Sequence, residues 1–343
     1  MKNGFWKKSI AVLLGACTLA CACSFAACDG SDDGDVDTDY QVYVPDGAPA
    51  LSMAMMMHED TETNAFDYHV VQASEISLKV TGNTDLADFA ILPVSTASKL
   101  LGAGDVYQML GSVTQGNLYL CSSTENTWID VSNAEQKLVG KTVGVVQYQQ
   151  FPGLAFRATL KKLGINYHVI TENTPSKMQT MVNLKAINAD QVGDANAGVD
   201  YYLAFEPNLT RVLSVAQKNL SLVADVQMLY GGGGYPQAVL VAKTSLVNEE
   251  KETVRAFMDK MDLADDWVLT AGAETLYNAV QNHANGFNVM FTANDLSVST
   301  LNRCSIRFQR TVACKSKVET FLSELKGVDA TVHLTTGNFF AFL

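Results

Sequence analysis

The feature that most constrains the fold is a regular alternation of short apolar runs with longer segments of helical periodicity. Buried-strand candidates lie at 87–92, 117–122, 141–146, 200–205 and 237–242. Short apolar runs bounded by turns suit strands that are covered on both faces, as in parallel sheets flanked by helices. The sequence therefore predicts an α/β fold, with each lobe built on a mostly parallel sheet.

Helical periodicity fills the intervals between these runs. Residues 152–163 place Phe156, Leu160 and Leu163 on one face and end at Gly164, as helices commonly do. We also predict a helix at 176–187. Each βαβ unit formed in this way brings its two strands side by side in a parallel sheet.

The length of 343 residues indicates about two domains, at roughly 100–200 residues per domain. The runs at 117–123 and 231–242 are placed to cross between two lobes and to act as hinges. We therefore predict a first lobe of 41–117 plus 243–343 and a second lobe of 123–236.

The first 27 residues have the pattern of an export signal. Lys2, Lys7 and Lys8 precede an uncharged apolar stretch at 9–27, which is typical of a secretory signal peptide. The stretch is close to the length that spans a bilayer, so an uncleaved anchor is the alternative.

Residues 25–28 resemble a bacterial lipobox, in which small residues precede a cysteine that receives a lipid. We predict lipidation at Cys28, because charge begins immediately after it. Cys17 also follows small residues, and Ala20-Cys21-Ala22 fits an ordinary signal-peptidase site, so the processing position stays open. Residues 28–40 then form an acidic linker with six Asp, predicted to be flexible.

Charge and cysteine content narrow the class of protein further. The formal net charge of −12 argues against a nucleic-acid partner, which requires a basic face. Thiols oxidise outside the cell, so we predict a disulfide between Cys304 and Cys314, which are ten residues apart. Cys121 lies in an apolar run and is expected to be buried.

Four strand-to-helix turns could hold a ligand, at 45–49, 93–98, 147–153 and 205–208. In open α/β sheets, ligands bind beyond the carboxyl ends of the strands, where backbone N–H groups at helix N-termini are free. Ordinary helix caps would give the same pattern. Two turns belong to each predicted lobe, so a cleft lined from both sides is expected.

Aromatic side chains strengthen the interpretation of these turns as a small-molecule site. The predicted ligand-binding residues are Asp46, Gly47, Ala48, Ser95, Thr96, Gln147, Tyr148, Phe151, Glu206 and Tyr235. Catalytic and metal-binding motifs are lacking in the sequence: the five His are scattered, with no H-E-x-x-H and no G-x-S-x-G. We therefore predict no cofactor, no metal and no enzymatic activity.

Residues 44–57, 91–98, 140–153 and 234–243 resemble solute-binding proteins of ABC importers. The resemblance is greatest to the group that binds sulfonates, nitrate, taurine and pyrimidine precursors of thiamine, which has the type II periplasmic-binding fold. It covers nearly all of 40–343 and does not specify the ligand.

This resemblance implies a monomer with two lobes joined by two strands. It implies capture of a small organic solute (an aminopyrimidine, a sulfonate or a similar compound) for a permease driven by a cytoplasmic ATPase. A lipid at Cys28 would tether the protein to the extracytoplasmic face of the cell membrane. The alternatives are a lyase or synthase on the same fold, and a ligand-sensing subunit.

Overall fold

The computed structural model describes residues 40–60, 65–82 and 86–343. All of them belong to the unit Thr38–Leu343, which is distinct from Met1–Asp37. The predicted signal peptide, Cys28 and nearly all of the acidic linker lie outside the described residues. In the described ranges, no helix is both long and apolar enough to cross a bilayer.

The strands of the described residues form two six-stranded sheets. In chain order they are β1 (Tyr40–Pro45), β2 (Phe66–Val71), β3 (Phe89–Pro93), β4 (Tyr107–Thr114), β5 (Leu118–Ser122), β6 (Thr142–Val146), β7 (Tyr167–Ile170), β8 (Val182–Ile187), β9 (Tyr201–Phe205), β10 (Ser221–Asp225), β11 (Ala238–Lys243) and β12 (Ile306–Arg310). The first sheet has the order β12-β4-β11-β3-β1-β2, and the second has the order β10-β5-β9-β6-β8-β7.

Helices cover these sheets, which confirms the predicted α/β fold class. In the described ranges they are α1 (Ala48–Ser52), α2 (Ala54–His58), α3 (Leu78–Thr81), α4 (Val94–Leu101), α5 (Ala134–Leu138), α6 (Phe151–Lys162), α7 (Asn208–Leu213), α8 (Val226–Tyr230), α9 (Thr244–Glu249), α10 (Lys251–Thr270), α11 (Ala273–Gln281), α12 (Val298–Arg303) and α13 (Thr311–Lys326). The predicted helix at 176–187 is wrong, because β8 occupies its second half and pairs in parallel with β6 and β7.

The two sheets share one pattern of strand directions. Strands β1, β2 and β3 are parallel, and β11 lies antiparallel between β3 and β4. In the second sheet β6 to β9 are parallel, and β5 lies antiparallel between β9 and β10. β11 enters the first sheet after the chain has passed through the second sheet, and β5 enters the second sheet after the chain has passed through the first. The strand that enters each sheet in this way is therefore antiparallel to its neighbours.

The links between the sheets are 115–117, which joins β4 to β5, and 231–237, which joins α8 to β11. Strand β5 falls inside the predicted hinge range 117–123 and β11 overlaps the range 231–242, but each strand is paired on both sides. Any bending is therefore expected in the two links. The hinge function itself stays a prediction.

Side chains on the first sheet alternate between two apolar clusters. Phe89 and Ile91 join one cluster, and Ala90 and Leu92 join another. Because successive residues of a strand point to opposite faces, the clusters lie on opposite sides of this sheet. The cluster with Ala90 continues onto the second sheet through α6 and α13, and we call it the shared core.

The predicted disulfide between Cys304 and Cys314 is wrong. Both thiols are free and buried. Cys314 belongs to the shared core and Cys304 to the cluster on the opposite face of the first sheet, so the sheet separates them. Cys121 is buried as expected, and its burial raises the pKa of the thiol to about 12.

Candidate ligand-binding site

Two helices begin beside the link 231–237, one from each sheet. The Val94 amide at the start of α4 donates to the Gln237 carbonyl oxygen at 2.8 Å. The ring of Phe151, the first residue of α6, lies 6.1 Å from the ring of Tyr235. Since Tyr235 and Gln237 are two residues apart in this link, both helix N-termini adjoin the same segment.

Neither of these N-termini is capped by a side chain of the described residues. Pro93 precedes α4 and Gln150 precedes α6, and in both cases that part of the chain provides no side-chain hydrogen bond to the first turn. The first N–H groups of a helix carry a partial positive charge and need acceptors. Ser95 and Thr96, half-buried in the first turn of α4, add hydroxyl groups to this position. The arrangement therefore suits a ligand with an anionic or acceptor group.

A group of packed rings adjoins the link. Tyr235 stacks on Phe321 at 4.9 Å, and Tyr230 meets Tyr235 edge-on at 5.3 Å. Phe151 completes the group at 6.1 Å from Phe321. Of these four residues, the ligand-binding set predicted from the sequence contains Phe151 and Tyr235. All four rings are buried in the shared core, and they position the link.

Several buried polar atoms near the links have no hydrogen-bond partner among the described residues. They are Thr114 Oγ1, Asn117 Oδ1 and Gln237 Oε1, with Asp46 Oδ1 in the turn after β1. Buried polar atoms are normally paired, so each such group calls for an explanation, and a bound solute is one. Sequence reasoning identified only Asp46; the other three are polar residues that interrupt apolar runs at the junctions between sheets.

The turn after β1 is covered by Met290. The Met290 amide donates to Asp46 Oδ2 at 2.8 Å, and burial raises the pKa of Asp46 to about 6. Gly47 has φ of 105°, and a Cβ there would lie 3.3 Å from Met290 Sδ. Ala48 is buried at the start of α1. Asp46, Gly47 and Ala48 thus form a turn in which one carboxylate oxygen of Asp46, Oδ1, is unpaired within the described residues.

Gln147 and Tyr148 follow β6 but differ in environment. Gln147 is exposed with φ of 55°, whereas Tyr148 is buried with its ring 5.0 Å from the Arg157 guanidinium. A Cβ on Gly153 would meet the Tyr148 carbonyl oxygen at 1.9 Å, so only glycine fits this start of α6. The Tyr148 ring therefore packs along α6.

Glu206 is engaged by the protein itself. Its side chain has no exposed area, and its carboxylate accepts hydrogen bonds from Arg303 Nε at 2.6 Å and the Thr210 amide at 2.9 Å. Burial raises the pKa of Glu206, and Arg303 and Thr210 oppose that shift. Glu206 follows β9 of the second sheet and Arg303 ends α12, whose Leu301 packs in the core of the first sheet. This ion pair, which sequence reasoning missed, therefore joins the two halves.

The ten predicted residues thus fall into four places. Ser95, Thr96, Phe151 and Tyr235 adjoin the link; Asp46, Gly47 and Ala48 lie under Met290; Gln147 and Tyr148 form the turn into α6; Glu206 is paired with Arg303. Among the described residues, no group of His, Cys, Asp and Glu could hold a metal ion.

Several solved structures are similar to this fold, whereas sequence comparison finds no match. No protein-family model matches the chain, and no curated protein matches it. Its structure is similar to that of an ABC transporter protein from Parabacteroides distasonis, with 18% identity and a TM-score of 0.66, covering 89% of this chain and 99% of that one.

Two further solved structures are similar. One is the ligand-binding component of an ABC-type import system from Staphylococcus aureus with zinc bound, with 9% identity, a TM-score of 0.56 and coverage of 88% and 96%. The other is the periplasmic aliphatic sulphonate-binding protein SsuA from Escherichia coli, with 10% identity, a TM-score of 0.55 and coverage of 84% and 86%.

These likenesses establish the fold. The chain has the two-sheet architecture of ABC-importer solute-binding proteins, in agreement with the resemblance drawn from its sequence. Two of these similar proteins are named as binding proteins.

Proposed function

We propose that the protein captures a small organic solute between its two sheets and delivers it to the permease of an ABC importer. One observation carries the proposal: uncapped helix N-termini from both sheets adjoin a single link that also holds a buried, unpaired Gln237 oxygen. A solute bound there would contact both halves at once. Its binding energy would favour the arrangement in which both contacts are made.

The ligand chemistry follows from the unsatisfied groups. The Val94 amide already donates to the Gln237 carbonyl oxygen, so the following first-turn amides of α4 and those of α6 need an acceptor, whereas the unpaired oxygens of Asp46, Asn117 and Gln237 need donors. A solute with both kinds of group fits, such as an aminopyrimidine or an aminosulfonate.

Thermal unfolding tests this proposal with 4-aminopyrimidine, taurine and benzoate as probes. We expect at least one probe to raise the melting temperature with the logarithm of its concentration, since it binds only the folded chain. Gln237→Leu removes the unpaired oxygen and should weaken binding about tenfold, or about 1.4 kcal/mol. Gln108→Leu is the matched control, half-buried at the opposite end of the first sheet.

Two outcomes would reject the site: none of the probes stabilises the protein, or Gln237→Leu binds the active probe as well as the unmodified chain does. A fall in the radius of gyration on binding, seen by X-ray scattering, would support closure of the two halves. An unchanged radius would limit the proposal to binding without closure.

The proposal includes a location outside the cytoplasm, with a lipid on Cys28 and the acidic linker as a tether. It is supported by the lipobox-like residues 25–28 and by the charge pattern before them. Cys28→Ala is expected to release the protein from the membrane fraction into the medium or periplasm. Retention of the variant in the membrane fraction would instead indicate an uncleaved anchor or lipidation at another cysteine.

A further inference from the structure

A second pocket, of about 490 Å³, lies against the two links. Gln115 of the first link and Gly231–Gly234 of the second line it, together with Met228 of α8 and Ile306 and Arg307 of β12. This volume is within the range of small-molecule sites. Both connections between the sheets therefore contribute to one concave surface.

The pocket is separate from the candidate site described above. In the first sheet β4 lies between β12 and β11, and β3 lies on the far side of β11. The pocket is on the β12 side of the links, whereas α4 begins at the end of β3. A ligand in the pocket would thus be on the opposite side of the links from Ser95 and Thr96.

Positive charge concentrates beside this pocket, although the chain carries a net charge of −12. Arg307 is exposed, and its side chain forms no ion pair or hydrogen bond within the described residues. Lys317 Nζ donates to Gln115 Oε1 at 3.2 Å. The pKa of Lys317 is lowered, mainly by burial and to a smaller extent by the positive charge of Arg307. The two cations are therefore close together and form no ion pair within the described residues, although the charge of Arg307 acts on Asp265.

The nearby carboxylates are already engaged. Asp225 accepts hydrogen bonds from the Met228 amide at 2.9 Å and from Gln227 Nε2 at 3.1 Å. Asp265 accepts from the Phe308 amide at 2.8 Å. Neither forms an ion pair with Arg307 in the described part of the chain, so the guanidinium keeps its donors for a ligand.

The glycine loop provides further donors. Gly231 to Gly234 all have positive φ, and the amides of Gly232 and Gly233 form no hydrogen bond in the described ranges. A Cβ on Gly233 would be 3.8 Å from Arg307 Nη2, so the guanidinium reaches this loop. Met228 and Ile306 add apolar surface beside it.

We propose that this pocket binds a small organic anion, a carboxylate or sulfonate on an apolar body, held by Arg307 and the exposed amides of the glycine loop. The planar guanidinium matches the paired oxygens of such a group. Lys317 contributes positive potential, and Met228 and Ile306 contact the apolar part. The proposal does not depend on which solute binds beside α4 and α6.

Calorimetric titration of the full chain with benzenesulfonate, and with neutral benzenesulfonamide of the same shape, tests the proposal. We expect benzenesulfonate to bind, more weakly at high salt, and benzenesulfonamide to bind at least tenfold more weakly. Arg307→Gln should raise the dissociation constant about tenfold or more, and Lys317→Gln by a smaller factor. Arg255→Gln, an exposed arginine paired with Glu252 on α10, is the matched control and should change nothing.

The results separate this site from the first one. Loss of benzenesulfonate binding in Arg307→Gln but not in Gln237→Leu supports the pocket at the links. Loss in Gln237→Leu but not in Arg307→Gln places the sulfonate beside α4 and α6, which overturns this inference and supports the earlier proposal. Equal binding of the neutral sulfonamide, or no binding of benzenesulfonate at millimolar concentration, also overturns it.

Discussion

Arg303→Met is expected to destabilise the protein by about 3–5 kcal/mol, because it leaves the Glu206 carboxylate buried without its charge partner. Glu206 has no exposed side-chain area, and Arg303 donates to it at 2.6 Å and to Thr210 Oγ1 at 2.8 Å. Methionine keeps the apolar stem but provides no donor. Urea denaturation measures the change in the free energy of unfolding. An unchanged slope of that free energy against urea concentration shows that the unfolded state is the same in both proteins.

Two further variants show whether the buried charge is responsible. Glu206→Gln combined with Arg303→Met removes both charges and should recover part of the loss. Arg255→Met, which removes an exposed pair with Glu252, should cost less than about 1 kcal/mol. A loss below about 1 kcal/mol in Arg303→Met would show that water solvates Glu206 and that the pair contributes little.

Phe321→Ala is expected to cost about 3–5 kcal/mol by opening a cavity at the centre of the ring group. Phe321 is fully buried on α13 and contacts the rings of Tyr235, Phe151 and Tyr230. Because Phe151 begins α6 and Tyr235 lies in the link, we also expect weaker solute binding. Thermal unfolding with and without the active probe measures both effects.

Phe342→Ala is the matched control for this substitution. Phe342 is 61% exposed, so its removal should change stability by no more than about 0.5 kcal/mol. A loss near 1 kcal/mol in Phe321→Ala would indicate that the surrounding rings collapse into the space. Unchanged solute affinity in a destabilised Phe321→Ala would show that the ring group supports the fold and not the site.

The fold class was predictable because its signal is local. β3, β6, β9 and β11 are short apolar runs buried on both faces, and the bounds of each strand agree within two residues with a run predicted from the sequence. The helix predicted at 176–187 is wrong: Met181, Leu184 and Ile187, spaced three apart, fit a helical face, whereas Val182 and Leu184, spaced two apart, fit a strand. Pairing with β6 and β7 makes this segment a strand. The local sequence carries no information about that pairing.

The site was only partly predictable for the same reason. Turns after β3 and β6 are recognisable from proline, glycine and small polar residues, so the helix starts could be placed. The partner of Glu206 is 97 residues away in the chain, and the free thiols of Cys304 and Cys314 depend on the sheet that separates them. Spacing along the chain gives no information about such contacts.

The shared core determines how the two halves can move. Along α6 and α13 the halves are joined by continuous apolar packing, whose exposure to water would be costly. Across α7 and α12 they are joined by Arg303, Glu206 and Thr210, polar groups for which water can substitute. We therefore expect the two halves to rotate about an axis along α6 and α13, with the largest separation at Arg303.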